Sequence, residues 1–285
     1  MRTDFCIFIL THGRAGRVKT VNTLQRCGYT GKLYIVIDDE DSQADAYRDE
    51  FGDQVLMFSK SDIATRFDEG DNFSDRRTIT YARNACFELA EKVGCQYFMQ
   101  LDDDYTQFNY RFDHRLRYTH KSIKDMDAVL ETMLEFYEKS PFVSVAFAQG
   151  GDFIGGDESN LANAVKTRRK AMNSFICDTS KPFKFRGRFN EDVNTYTSIQ
   201  RAGQAFLTIL GVWLCQLETQ SNDGGITELY KSFGTYVKSF CTVMYAPSCA
   251  VVKDLRGTSG VRRIHHQINW NNAAPLIIRE HHKKA

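Results

Sequence analysis

The sequence predicts an α/β fold: a doubly wound, mainly parallel mixed sheet flanked by helices, in a single domain over residues 1–285. Short, nearly continuous apolar runs recur through the first 150 residues, and segments with helical periodicity separate them. The chain has only four prolines and no repeat or low-complexity linker. Buried strands that alternate with helices are typical of βαβ units, whose sheets bind ligands beyond the carboxyl ends of the strands.

The predicted strands of the first half, in chain order, are 4–10 ("DFCIFIL"), 32–37 ("KLYIVI"), 54–58 ("QVLMF"), 96–101 ("QYFMQL") and 142–148 ("FVSVAFA"). The predicted helices between them are 18–28, 44–52, 78–94 and 121–139. The second half is less regular, with a glycine-rich stretch at 149–157, a basic stretch, and apolar or amphipathic segments at 171–177, 189–203 and 205–217.

Composition favours a soluble globular protein, with 42% hydrophobic residues, 26% charged residues and a mean hydropathy of −0.42. No apolar stretch approaches the ~20 residues that cross a bilayer, and the apolar run near the N-terminus is too short for a signal peptide. The eight cysteines contain no CxxC pair. We therefore expect reduced core cysteines, a cytoplasmic location and no membrane partner.

Charge is strongly segregated although the formal net charge is only +1. Residues 38–53 hold eight acids against Arg48, and residues 166–188 hold eight bases against Asp178. This asymmetry suggests that one end of the protein faces a polyanion.

Three consecutive aspartates, Asp102, Asp103 and Asp104, follow the fourth predicted strand directly. If the chain stays extended, Asp102 and Asp104 point the same way and can bind Mg²⁺ or Mn²⁺, which would offset their repulsion. The alternative is an acidic surface turn.

Two further stretches carry polar groups at predicted strand ends. In "THGRAGR", Gly13 and Gly16 would let the backbone approach a nucleotide while Arg14 reaches a diphosphate, although both glycines could simply form a turn. Asp38 and Asp39 end the second strand and suit a base or ribose contact, or they cap a helix.

The acidic motif after the fourth strand resembles the DxD motif of nucleotide-sugar glycosyltransferases with the GT-A fold. "ILTHGRAGRVKT", "IVIDDED", "ARNACFELAEKVGCQYFMQLDDDY" and "RFNEDVNTY" are similar to further motifs of that fold, in the same order. The resemblance implies a UDP-sugar donor bound by Thr11, His12, Gly13, Arg14, Arg17, Asp38, Asp39, Arg83, Asn84, Asp102 and Asp103. It implies a metal ion held by Asp102 and Asp104 with His265 or His266.

The same resemblance implies a catalytic base at Asp192 or Glu191, with Asp192 favoured. As a general base, this carboxylate would take the proton from an acceptor hydroxyl as that hydroxyl attacks the sugar. The alternative is that both acids only complement the dipole of the following helix.

Motifs of the second half, among them "QGGDFIGG", "RRKAMNSFIC" and "RRIHHQINWNN", resemble the phage TET-associated glycosyltransferases. That family implies transfer to hydroxymethylated pyrimidines in phage DNA, with 5-hydroxymethylcytosine as the expected base. It implies a nucleotide-sugar-binding half at 1–148 and an acceptor-binding half at 149–285.

The basic run predicts contacts to DNA phosphates from Lys166, Arg168, Arg169, Lys170, Arg186 and Arg188. A target base inside a duplex would have to be flipped out. Two alternatives stay open from the sequence: a GT-A transferase acting on a glycan, lipid or protein, and a non-catalytic nucleic-acid-binding module. The sequence does not predict the oligomeric state, the donor sugar or the stereochemical outcome.

Overall fold

The computed structural model describes residues 1–71, 73–149, 165–166, 168, 170–171, 173–217, 226–234, 236–256 and 262–275. The glycine-rich stretch from Gly150 onward and Arg169 lie outside these residues, as does the tail after Pro275. Within the described part, no helix combines the length and apolarity that a bilayer crossing requires.

Nine strands form one mixed sheet with the order β3-β2-β1-β4-β8-β6-β9-β5, and β7 pairs with β9. The strands are β1 (Phe5–Leu10), β2 (Lys32–Asp38), β3 (Val55–Phe58), β4 (Tyr97–Asp102), β5 (Tyr105–Tyr110), β6 (Ser144–Gln149), β7 (Val165–Lys166), β8 (Ser174–Asp178) and β9 (Phe206–Gln216). β3, β2, β1 and β4 are parallel, while β8 enters antiparallel to β4. A separate antiparallel hairpin joins β10 (Ala250–Arg256) and β11 (Arg262–Ile268).

Helices cover both faces of the sheet. They are α1 (Lys19–Arg26), α2 (Ala44–Phe51), α3 (Lys60–Ala64), α4 (Thr80–Lys92), α5 (Met126–Glu138), α6 (Glu191–Arg201), α7 (Ile226–Phe233), α8 (Val237–Tyr245) and α9 (Trp270–Ala273). Alternate residues of β1 belong to different cores: Phe5, Ile7 and Ile9 pack with α1 and α5, whereas Cys6, Phe8 and Leu10 pack with α4 and α6. The predicted α/β fold is confirmed.

The sheet curls so that its last strand returns to the end of β4. Only two residues separate Asp102 from Tyr105, so their Cα atoms are at most about 11 Å apart. Four strand spacings lie between β4 and β5 in the sheet order, which is roughly 19 Å in a flat sheet. β9 bends through an irregularity between Ile209 and Trp213, where its pairing with β6 shifts. This curvature encloses a cleft at the carboxyl end of β4.

Candidate functional site

A cleft of about 320 Å³ opens where β1, β2 and β4 end and α6 begins. Ten of the predicted site residues line it: Thr11, His12, Arg14, Asp38, Arg83, Asp102, Asp103, Asp104, Glu191 and Asp192. Residues that are more than 150 positions apart in the sequence therefore meet in one place.

The three aspartates do not continue as an extended strand. Asp102 ends β4, and Asp103 and Asp104 form the turn to β5. Buried Thr20 fixes this turn, because its hydroxyl donates to the Asp102 carbonyl at 2.6 Å and accepts from the Tyr105 amide at 2.9 Å. The expected alternation of carboxylates along a strand is therefore wrong, although all three aspartates still line the cleft.

Asp103 organises the loop after β1. Its two carboxylate oxygens accept hydrogen bonds from the Thr11 hydroxyl at 2.7 Å and from Arg14 Nη1 at 2.8 Å. The Tyr47 hydroxyl supports the same loop from α2 by accepting from the Arg14 amide at 2.7 Å. The charge of Asp103 is thus matched within the protein.

Arg83 joins the acidic turn to the start of α6. Its guanidinium is fully buried and donates to Asp102 Oδ1 at 2.9 Å, to Glu191 Oε1 at 3.0 Å and to Asn173 Oδ1 at 3.2 Å. Among the described residues, its Nη1 atom has no hydrogen-bond partner. Because an unmatched buried donor is costly, this nitrogen is suited to an oxygen of a bound ligand.

Three carboxyl groups of the cleft have raised pKa values. Burial raises the pKa of Asp102 to about 7, against the lowering effect of Arg83, and repulsion from Asp104 and Glu191 adds to the rise. Burial and the charge of Asp103 raise the pKa of Asp104 to about 6. Burial and the charge of Glu191 raise the pKa of Asp192 to about 6.

The donor set at the acidic turn fits a hard divalent cation. Asp102 and Asp104 offer carboxylate oxygens, and a cation between them would offset the repulsion from Asp104 that adds to the rise in the Asp102 pKa. Within the described part of the chain, no group of three or more His, Cys, Asp or Glu side chains is placed to hold an ion. A cation here would therefore take its remaining ligands from substrate oxygens and water, as Mg²⁺ commonly does.

Asp38 lies at the other end of the cleft, next to the loop after β1. It contacts His12 Nδ1 at 2.8 Å and accepts from buried Lys60 Nζ at 3.0 Å. Burial alone would raise the pKa of Asp38, but these two partners outweigh burial and hold it below the ordinary value. Gly13, at φ +66°, donates its amide to Asp41 Oδ2 at 2.8 Å, which completes the loop.

Four predicted nucleotide contacts, Gly13, Arg17, Asp39 and Asn84, lie outside the lining of this cleft. The Asn84 amide pairs with both backbone groups of Phe185, at 2.8 and 3.1 Å, and lines a second hollow on the opposite side of α4. Asp39 accepts from the Lys60 amide at the start of α3, which agrees with the alternative that this aspartate caps a helix. Arg17 is exposed and donates to the Gly13 carbonyl.

The two histidines predicted as metal ligands also lie outside the cleft lining. His266 is buried in the hairpin, where its Nδ1 atom is 3.2 Å from Asn190 Nδ2. Burial and the neighbouring His265 lower the pKa of His266 to about 3, so that its imidazole is neutral. His266 thus lies against Asn190, the residue before α6, on a strand that packs against α8.

The predicted DNA-binding residues divide into three groups. Arg188 is fully buried and paired with Glu69 at 2.7 Å and Asp71 at 2.8 Å, so its predicted phosphate contact is wrong. Arg168 and Arg186 are exposed, and Lys170 is half-buried. The side chain of Lys166 and all of Arg169 lie outside the described residues.

The structure adds cleft residues that the sequence did not single out. Lys60, Arg77 and Asn173 line the cleft, together with Tyr230 of α7 and Lys238 of α8. Lys60 follows the third strand and so could have been found from strand-end position alone. The others come from loops and helices whose placement depends on tertiary packing.

Comparison with known proteins gives three findings. Residues 5–225 match the family model described as TET-Associated Glycosyltransferase. The comparison with curated proteins gives no match. Similar solved structures include two of glucosyl-3-phosphoglycerate synthase from Mycobacterium tuberculosis. One, with Mn²⁺, UDP and phosphoglyceric acid, is 10% identical with a TM-score of 0.42 and covers 93% of this chain and 86% of that chain. The other, with Mn²⁺, UDP-glucose and glycerol 3-phosphate, is 8% identical with a TM-score of 0.42 and covers 87% and 83%.

The family match begins at the first residue of β1 and includes β4, the acidic turn and α6. It therefore spans the elements that bring the carboxyl groups together in the cleft. The chain belongs to the TET-associated glycosyltransferase family, and it is therefore a glycosyltransferase.

Proposed function

We propose that this enzyme transfers the sugar of a UDP-sugar to the hydroxyl of a 5-hydroxymethylated pyrimidine, most simply 5-hydroxymethylcytosine, in phage DNA, with Mn²⁺ or Mg²⁺ as cofactor. One observation carries the proposal: the acidic turn and the start of α6 open into the same cleft, where Arg83 connects them. Donor and acceptor chemistry can therefore take place within one enclosed site.

The first half of the chain supplies the donor side of this proposal. Asp102 and Asp104 would hold the cation, which when bound neutralises charge on the diphosphate leaving group. Arg14 is fixed by Asp103 near the same end of the cleft, and the free Nη1 atom of Arg83 suits a phosphate or sugar oxygen. Asp38, with His12 and Lys60, would contact the base or ribose.

Asp192 is the better candidate for the general base. Glu191 already accepts from Arg83 Nε, so its carboxylate is held in an ion pair, whereas the described residues include no ion pair to Asp192. With a pKa of about 6, Asp192 is ionised at neutral pH and more basic than an ordinary aspartate. The acceptor oxygen attacks the anomeric carbon as its proton moves to Asp192, and the bond from that carbon to the diphosphate oxygen breaks to release UDP.

DNA as the acceptor is supported by the family and by the exposed arginines Arg168 and Arg186 in the second half. That half also contributes α6, α7 and α8 to the cleft wall. We therefore assign residues 149–285 to the acceptor.

The test is transfer of label from radiolabelled UDP-sugars to a duplex with 5-hydroxymethylcytosine, compared with the same duplex with cytosine, with and without EDTA. We expect label only on the hydroxymethylated duplex, and none in EDTA until Mn²⁺ is restored. Label on a glycan but on neither duplex would contradict DNA as the acceptor. Transfer that persists in EDTA would contradict the requirement for a metal ion.

Variants test the assigned roles with a matched control. Asp192→Asn should lower kcat by about 10²- to 10⁴-fold, as loss of a general base does, while Asp104→Asn should raise the Mn²⁺ concentration needed for half-maximal rate. Asp49→Asn, an exposed aspartate on α2, should behave as wild type. Full activity of Asp192→Asn would contradict its role as the base.

A further inference from the structure

Four exposed aromatic side chains lie in two pairs beside the cleft, and together we call them the aromatic row. Phe73, Phe233, Tyr236 and Phe240 are 43%, 44%, 49% and 50% exposed. The rings of Phe73 and Phe233 stack at 5.2 Å, and those of Tyr236 and Phe240 meet edge to face at 6.2 Å. Phe233 and Tyr236 are three positions apart, and a Cβ at the intervening Gly234 would come within 2.6 Å of the Tyr236 ring. Clustered exposed apolar side chains of this kind mark an interaction site.

The aromatic row and the cleft share two helices. On α7, Tyr230 lines the cleft while Phe233 belongs to the row. On α8, Lys238 lines the cleft while Phe240 lies on the exposed side, one turn from Tyr236. A ligand that enters the cleft from this side would therefore pass over the rings.

Arg188 holds the segment that carries Phe73. It donates to the Phe73 carbonyl at 3.2 Å and pairs with both Glu69 and Asp71, so that one buried cation faces two acids. An ion pair between Arg77 and Glu228 fastens the same segment to α7. The phenyl ring of Phe73 is thus placed by buried charges, although the ring itself is exposed.

Charge near the row favours an anionic partner. The sequences of α7 and α8 contain one acid, Glu228, which is paired with Arg77, and two bases, Lys231 and Lys238. The hairpin that packs against α8 exposes Lys253, whereas its exposed Arg262 is paired with Asp254 at 2.7 Å. Flat rings bordered by cations match a strand of nucleic acid, whose bases stack on aromatics while basic groups attract its phosphates.

We propose that the aromatic row is a stacking platform for unpaired bases of the acceptor DNA strand, next to the nucleotide whose base enters the cleft. The proposal rests on the proposed function, in which DNA is the acceptor. Extruding a base leaves its neighbours without part of their stacking, at a cost of a few kcal/mol. Rings at the mouth of the cleft would replace that lost stacking and select single-stranded or locally opened DNA.

Binding is measured without catalysis, using a fluorescein-labelled twelve-residue oligothymidylate and fluorescence anisotropy at several salt concentrations. Tyr236→Ala and Phe240→Ala should each weaken binding by about 5- to 150-fold, the usual effect of removing one stacking ring. The slope of log Kd against log salt should not change, because no phosphate contact is lost. The matched control is Phe136→Ala, a 39% exposed phenylalanine on α5, which should bind as wild type.

Transfer assays separate this proposal from the proposed function. For wild type we expect faster transfer to a hydroxymethylated oligonucleotide than to free 5-hydroxymethyl-dCMP, and Phe240→Ala should reduce that ratio at least fivefold. An unchanged ratio with normal oligothymidylate binding would overturn the platform while leaving the DNA acceptor intact. Binding that depends on Phe240 in a protein that labels no DNA would uphold base stacking on the row but remove the proposed function, and with it the acceptor role of the bound strand. A wild-type dimer in sedimentation velocity that Phe240→Ala converts to a monomer of unchanged DNA affinity would show that a second copy covers the row, and would also overturn the platform.

Discussion

Arg83 allows the sharpest test of how the site is held together. Substitution by methionine keeps an unbranched side chain but removes the charge that faces Asp102 and Glu191. Those carboxyl groups would remain in a buried site without their cation, and removing one partner of a buried ion pair costs about 3–5 kcal/mol. The packing of the guanidinium over Phe175 and Phe185, at 5.5 and 5.7 Å, would also be lost.

The cost converts into a measurable melting shift. At ~2.1 cal/mol/K per residue, unfolding 285 residues carries roughly 0.6 kcal/mol/K of entropy. A loss of about 3–5 kcal/mol then lowers Tm by about 5–8 °C. Differential scanning calorimetry in EDTA at pH 7.5 measures this shift for Arg83→Met. Adding Glu191→Gln to that variant should recover part of it, because one unmatched charge is removed.

The control is Arg48→Met, which removes an exposed arginine paired with Asp45 on α2. Exposed pairs contribute about 0–1 kcal/mol, so its Tm should fall by less than ~2 °C. If Arg83→Met melted within the same range as Arg48→Met, the buried guanidinium would not be what joins the acidic turn to α6.

Three further predictions follow from other buried polar groups. Thr20→Val should lower the unfolding free energy by about 1–3 kcal/mol in urea titrations, because the Tyr105 amide loses its acceptor. Arg188→Met should destabilise the segment at 66–77 and speed tryptic cleavage there, whereas the exposed Arg186→Met should not. Folding lowers the pKa of Asp38, so its carboxylate stabilises the fold fully above its unfolded pKa of ~4, and this stabilisation is lost as the pH falls through its folded pKa. Asp38→Asn should therefore lose less unfolding free energy than wild type between neutral pH and pH 3. Urea unfolding at several pH values measures this difference.

Each of these predictions has a result that contradicts it. Unchanged unfolding of Thr20→Val would mean that its hydroxyl does not fix the acidic turn. Equal cleavage of the two arginine variants would mean that Arg188 does not order its segment. A wild-type-like acid transition in Asp38→Asn would mean that His12 and Lys60 do not hold its charge.

The first half of the fold was predictable from the sequence because its strands are buried on both faces. Runs such as "DFCIFIL" and "QYFMQL" have few alternative structures, and β1 and β4 form within a residue or two of the predicted bounds. β5 was missed because "YTQFNY" follows the acidic turn at once and has no apolar run of its own. Its place depends on the curl of the whole sheet, which no local pattern encodes.

Site residues could be predicted from the sequence where they follow strand ends, but not where the position of a side chain depends on its tertiary contacts. Asp38 and Asp102 to Asp104 were found because strand ends meet at one edge of a parallel sheet. Arg188 was misread because a basic run in sequence does not show which cation turns inward to meet Glu69 and Asp71. Asn84 was misread for the same reason, since its pairing with Phe185 joins positions 101 residues apart.

The partners of the acids in the cleft distinguish their roles more sharply than their positions do. Asp103 is matched by Thr11 and Arg14, and Glu191 by Arg83, so both hold structure. Asp104 and Asp192 have raised pKa values, and neither has an ion pair among the described residues, so their charges are less compensated there than those of Asp103 and Glu191. A folded protein retains such carboxylates at a cost to stability, which is accounted for if a cation at Asp104 and a proton in transfer at Asp192 complete them during turnover.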